Sequence, residues 1–167
     1  MEHSRKLFWT SLFVVAVLCR TALAQPATSA LPADDAAAAW AKVEPSIRTL
    51  SPPPEWRTQP PKPEEVAAFQ KKLIESAHKL VGDARDFLRR FPTNENAGDA
   101  RFMVVFALNH ALAAGENSAE KEARDFVDAT LADPGIPEDD KAKIFMLSAS
   151  LGVMKKFGMN FFIEGEQ

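Results

Sequence analysis

The stretch PEEVAAFQKKLIESAHKLVGDARDFLRRF, residues 63–91, decides the fold. Val66, Phe69, Leu73, Ala77, Leu80, Ala84, Phe87 and Phe91 recur at steps of three and four, the spacing that lines one face of an α-helix. Ile74, Val81 and Leu88 form a second line that widens the stripe beyond a simple two-helix seam. Pro63 suits a first helical turn, and Glu64 and Glu65 suit the positive end of the helix dipole. Glu75 with Lys79 and Asp86 with Arg90 are spaced to pair on the wet side. Pro92 stops the helix, which is roughly 43 Å long at 1.5 Å per residue.

Upstream lies a proline segment. Each X-Pro step pushes the preceding residue out of the helical region, so residues 51–62 are expected to be extended, largely polyproline II. At about 3.1 Å per residue such a strap reaches nearly 37 Å, comparable with the long helix, and it is expected to run back along it. Trp56 sits mid-strap, where its ring can pin the strap to a bundle. Before it, Pro32, Asp34 and Asp35 open a first helix whose apolar face carries Trp40, Val43, Ile47 and Leu50.

Downstream, Thr93, Asn94 or Asn96 is expected to cap a third helix that Gly115 ends. Its middle, Phe102 to Leu108, is apolar almost all round and predicts the most buried helix. Asn117 with Glu120 has capping-box spacing and opens a fourth helix with Ala119, Ala123, Phe126, Val127 and Leu131. Pro137 and three acidic residues open a last one with Ile144, Leu147, Leu151 and Met154 on one face, ended or bent at Gly158. Short connections make these helices antiparallel neighbours. No segment alternates as a strand does, so the fold class is all-α, a bundle of about five helices. Helix starts near 63, 96, 118 and 137 share no fixed period, although a stack of tetratricopeptide-like hairpins stays open as geometry.

The chain has 167 residues and one cysteine, Cys19. Arg5 and Lys6, an apolar run over residues 7–18, and Ala22 and Ala24 follow the layout of a secretory signal peptide, residues 1–24. Residues 25–32 then read as a flexible N-terminus, residues 33–157 as the helical domain and residues 158–167 as an apolar tail. Cleavage would leave no cysteine and therefore no internal disulfide or dithiol chemistry. The whole chain's 20 basic and 23 acidic residues become 17 and 22 once Arg5, Lys6, Arg20 and Glu2 are set aside, a formal charge of −5. The signs are interspersed, without the basic stripe that a phosphate backbone attracts, so no nucleic-acid partner is expected. No membrane span is expected after cleavage.

No catalytic constellation is legible. His78 and His110 lack partners at metal-ligand spacing, and read as packed or hydrogen-bonded histidines. Glu64–Glu65 and Glu138–Asp139–Asp140 occupy first helical turns, where acidic residues are expected on dipole grounds. DPGIPEDD lacks the ligand alternation of a calcium loop. Tyrosine is absent. No catalytic residue, cofactor or metal is therefore assigned. The candidate interaction surface is Trp56 together with the apolar end Phe157, Met159, Phe161, Phe162 and Ile163. That end is open to three readings: a tail folded back, an edge for a partner, or a helix cut before its natural stop.

The runs PPPEWRTQPPKPEEVAAFQKKL and DARDFLRRFPTNENAGDAR resemble the N-terminal helical region of exported bacterial thioredoxin-like proteins of the redoxin or thiol:disulfide reductase type. The resemblance covers residues 33–155, and rests on Pro52 to Trp56, Pro60 to Glu65, Phe69, Ala84 to Phe87, Arg90 to Pro92 and Ala100–Arg101. This sequence has no Cys-x-x-Cys, so the family's catalytic residues have no positions here to which they can be carried. The resemblance implies a non-catalytic exported helical module that works by protein contact, with a redox protein or a second copy as partner. The alternatives are an enzyme with an unrecognised site around Asn109 and His110, or a truncated fragment without independent function.

Overall fold

The computed structural model describes residues 33–158, all of whose regular structure is helical. The elements are α1 (Ala33–Val43), a 3₁₀ segment (Glu44–Leu50), a 3₁₀ turn (Pro54–Arg57), α2 (Pro63–Arg90), α3 (Ala97–Ala113), α4 (Ser118–Ala132), α5 (Glu138–Ser148) and α6 (Ser150–Phe157). The fold is all-α. The leader expected over residues 1–24, residues 25–32 and the residues from Met159 onward lie outside the described residues.

α2 buries the face its periodicity marks out: Leu73, Ala77, Leu80, Val81, Ala84 and Phe87 are buried. At its start the Glu65 carboxylate accepts the backbone N–H of Lys62 at 2.8 Å, satisfying one of the donors a helix end leaves open. Lys79 pairs with Asp83 at 2.7 Å instead of Glu75, while Asp86 binds both Arg89 and Arg90.

α3 is the central helix, with twelve of its 17 residues buried. α2 flanks it antiparallel, since Arg101 near its start donates to the Pro92 carbonyl at 3.1 Å and Glu116 beyond its end meets His78 at 2.9 Å. α5 and α6 run parallel to it. Asp140 lies against Gly98, Asn109 donates to Ser150 at 2.8 Å, and Gly158 approaches the Ala113 carbonyl. Arg85 of α2 reaches α4, bonding Glu122 at 2.7 Å and lying over the Phe126 ring. Gly115 ends α3 in the left-handed region at φ 102°, and Glu116 N–H returns to the Ala111 carbonyl, a Schellman-type closure.

Five local expectations are corrected. The first helix does not stay α-helical to Leu50. It tightens to 3₁₀ from Glu44, because Pro45 has no N–H to donate and its ring crowds the carbonyl a turn back. The strap is not extended throughout. Ser51, Pro53 and Lys62 precede prolines or proline-initiated turns and are extended, with ψ of 141°, 134° and 154°. Residues 54–57 precede no proline and are free to turn, and Trp56 N–H closes on the Pro53 carbonyl at 3.0 Å.

The strap also does not run the length of α2. Trp40 of α1 packs its ring against Phe87 at 5.4 Å and Trp56 packs against Phe69 at 5.1 Å. Phe69 and Phe87 are 18 residues, about 27 Å, apart along α2. The end of α1 and the 3₁₀ segment therefore cover most of that distance, and the strap turns the corner.

The remaining two corrections lie downstream. Asn117 makes no side-chain cap to α4. Glu120, its expected partner, instead accepts from Lys155 of α6 at 2.7 Å and from Arg124 at 3.0 Å. Finally, the last helix is two helices. Ser148 and Ser150 hydroxyls donate to the Phe145 and Leu147 carbonyls, each at 2.6 Å, so the Phe145 carbonyl is shared with the Ala149 N–H, whose ladder bond is long at 3.3 Å.

Candidate functional site

The polar groups singled out in the sequence do not converge. His110 Nδ1 lies 2.9 Å from the Phe106 carbonyl one turn back, with the ring 4.2 Å from that of Phe106. Burial pushes its pKa below the ordinary histidine value, and the Phe106 carbonyl pulls part of the way back. The carbonyl takes the Nδ1–H of a neutral ring. Asn109, next in the chain but turned about 100° around the helix, sends its amide to Ser150 at 2.8 Å. The two are separate structural bonds, one holding α3 to itself and the other holding α3 to α6.

His78 is half-exposed and meets Glu116, which also accepts from Ser118 at 3.1 Å. The serine therefore faces the carboxylate and not the imidazole, which is the wrong order for an activated nucleophile. The acidic turns are likewise committed. Glu65 caps α2, Glu138 pairs with Lys141 at 2.9 Å, and Asp140 lies 3.7 Å from the buried Arg101. Among the described residues no group of three or more His, Cys, Asp or Glu is placed to hold a metal ion, and no helix is long and apolar enough to cross a membrane.

Two hollows among the described residues bear on the question. One, of about 480 Å³, is an open cleft with Trp40 and three alanines of α1 on one side and the 94–96 turn on the other. Glu44 and Glu95 rim it, and no imidazole or basic group joins them. The other, of about 120 Å³, lies between α4 and α5 and is lined by Val127, Leu131, Phe145 and Leu151 with Arg124 and Asp128.

The second hollow adjoins the one unexpected surface. Phe145 is 64 % exposed and Met146 is 75 % exposed, side by side on the outer face of α5. Both were missed in the sequence, where Ile144, Leu147, Leu151 and Met154 accounted for the buried face. The signal was present in the run IFML. Four consecutive apolar residues sweep about 300° around a helix, more than one core can cover.

Of the interaction surface expected from sequence, Trp56 is half-buried with its ring edge-on to Phe69. Phe157 is the terminal residue of α6, and Met159, Phe161, Phe162 and Ile163 lie outside the described residues. Comparison with known protein families, with characterised proteins and with solved structures finds no match.

Proposed function

We propose that this chain is an exported, non-catalytic helical module that works by protein–protein contact. The observation that carries the reading is the exposed Phe145–Met146 pair. Two large apolar side chains are held mostly in water by a helix whose other side is anchored in the core by Ile144, leaving apolar surface that the core does not cover. The basic–apolar–small pattern of residues 1–24 supports export, and the proline-rich and FPTN segments support kinship with the helical region of thioredoxin-like proteins. An exported thioredoxin-like protein is therefore the first partner to try, and the apolar segment 157–163 is a second contact surface.

A contact face and a folding face respond oppositely to polar substitution. In the double variant Phe145→Ser/Met146→Ser, the contact reading expects an unchanged or slightly raised melting temperature together with loss of cross-linked complexes in exporting cells. A lowered melting temperature with complexes retained would assign these residues to the fold and overturn the reading.

A further inference from the structure

The outer face of α5 and α6 carries more than two apolar residues. Glu138, Ala142, Phe145, Ala149, Gly152 and Lys156 follow one another at steps of 4, 3, 4, 3 and 4, and every one is exposed. They lie opposite the buried Ile144, Leu151 and Met154, on a single line about 27 Å long that passes across the break at Ala149. Ala149 itself keeps helical angles, φ −61° and ψ −26°, so the line holds its phase.

The order of chemistry along this line is complementary to its own reverse. It begins with a carboxylate, ends with an ammonium, and has its large ring one step from a small residue in the middle. We propose that this face pairs with the same face of a second copy of the chain, antiparallel about a two-fold axis near Leu147. That register sets Glu138 against Lys156 of the other copy, Ala142 against Gly152 and Phe145 against Ala149, each contact occurring twice as an isologous interface requires.

Rings then meet small residues that let the helices approach closely, and opposite charges close both ends. A parallel arrangement would instead stack Phe145 on Phe145 and like charges on like. Glu138, already bonded to Lys141 in its own helix, has a side chain exposed enough to accept a second cation. The proposal rests on the contact reading above and names its partner.

The face is one helix wide, well under the area of a standard stable interface, so the dimer is expected to be weak, with a dissociation constant of about 10–100 µM. Sedimentation of the full chain between roughly 1 and 500 µM tests this. Phe145→Asp is expected to raise the dissociation constant by about tenfold or more, the size of one lost central contact. Met146→Lys is expected to act in the same direction, and circular dichroism melts confirm that both variants remain folded.

The register has its own readout. Glu138→Lys and Lys156→Glu each weaken the dimer, and the two together restore it, because every opposed pair again has opposite charges. A monomer over the whole range, a dimer indifferent to Phe145→Asp, or a double charge swap no better than either single one overturns the proposal. A monomer that still cross-links a different polypeptide through position 145 overturns self-pairing while leaving the contact reading in place.

Discussion

Trp56 stands edge-on to Phe69, with ring centroids 5.1 Å apart and planes at 69°, and this contact fastens the proline segment to the second turn of α2. The start of α2 reaches beyond the end of α3, since His78, in the middle of α2, lies opposite Glu116. Trp56→Ala is expected to cost about 2 kcal/mol, less than a fully buried aromatic because the ring is half-exposed. It should also speed amide exchange selectively over residues 66–74. Uniform exchange changes, or none, would show that the strap is not what secures this end.

Local steps were legible and tertiary rivals were not. Every apolar position of α2 was readable because helical spacing alone puts Leu73, Leu80 and Phe87 on one face. The 3₁₀ segment after Val43 was also written locally, in Pro45, but the apolar spacing of Ile47 and Leu50 masked it. Glu120 has capping-box spacing to Asn117, yet Lys155, 35 residues away, takes its carboxylate; no local pattern weighs that competitor. At the break at Ala149 the Ser148 and Ser150 hydroxyls turn onto backbone carbonyls, and the Asn109 amide that donates to Ser150 lies 41 residues away, where no local pattern shows it. Phe145 was passed over because its neighbours already satisfied a core-facing stripe.

A second prediction concerns the seam between α3 and α5. A Cβ on Gly98 would come within 2.5 Å of Asp140 Oδ1 and 2.7 Å of its Cγ, closer than any real contact. Asp140 is held there by Arg101, whose guanidinium is buried. Gly98→Ala is expected to displace the carboxylate and destabilise by about 1–2 kcal/mol despite the better helix propensity of alanine. In an Asp140→Ala background the same change is expected to stabilise by up to about 1 kcal/mol. Denaturant midpoints of the four proteins in this cycle decide it; the same sign in both backgrounds would rule out the steric coupling.

Acid is expected to weaken the fold in two separate windows. His110 has a pKa lowered by burial, so the unfolded chain binds a proton that the folded chain resists. Stability on its account is complete above the ordinary histidine value of about 6.5 and declines as the pH falls below it. Glu120 is lowered chiefly by its hydrogen bond from Lys155 and then by that from Arg124, and Asp86 chiefly by Arg89. Their contributions are present above the ordinary carboxylate range, and fade as the pH falls below about 4.5. Denaturant titrations at a series of pH values should show His110→Gln flattening only the first window and Lys155→Met only the second. A first window unchanged in His110→Gln would contradict the assignment.

The break at Ala149 should be removable. Ser148→Ala with Ser150→Ala removes the hydroxyls that compete with the helical ladder for the Phe145 and Leu147 carbonyls, and helix content by circular dichroism is expected to rise slightly. Stability should still fall by about 1–2 kcal/mol, because the buried Asn109 amide loses its Ser150 acceptor and keeps only the long contact to the Leu147 carbonyl at 3.5 Å. A gain in stability would show that the Asn109–Ser150 bond does not help to hold α6 to α3.

The claim that the outer face of α5 is a contact surface is tested most directly by a photo-cross-linking residue placed at position 145 in exporting cells, with the exposed Lys72 of α2 as the control site. The account predicts a discrete protein adduct from position 145, of dimer mass or the mass of a specific partner, and none from position 72. No adduct at 145, or equal and diffuse adducts at both positions, would contradict it.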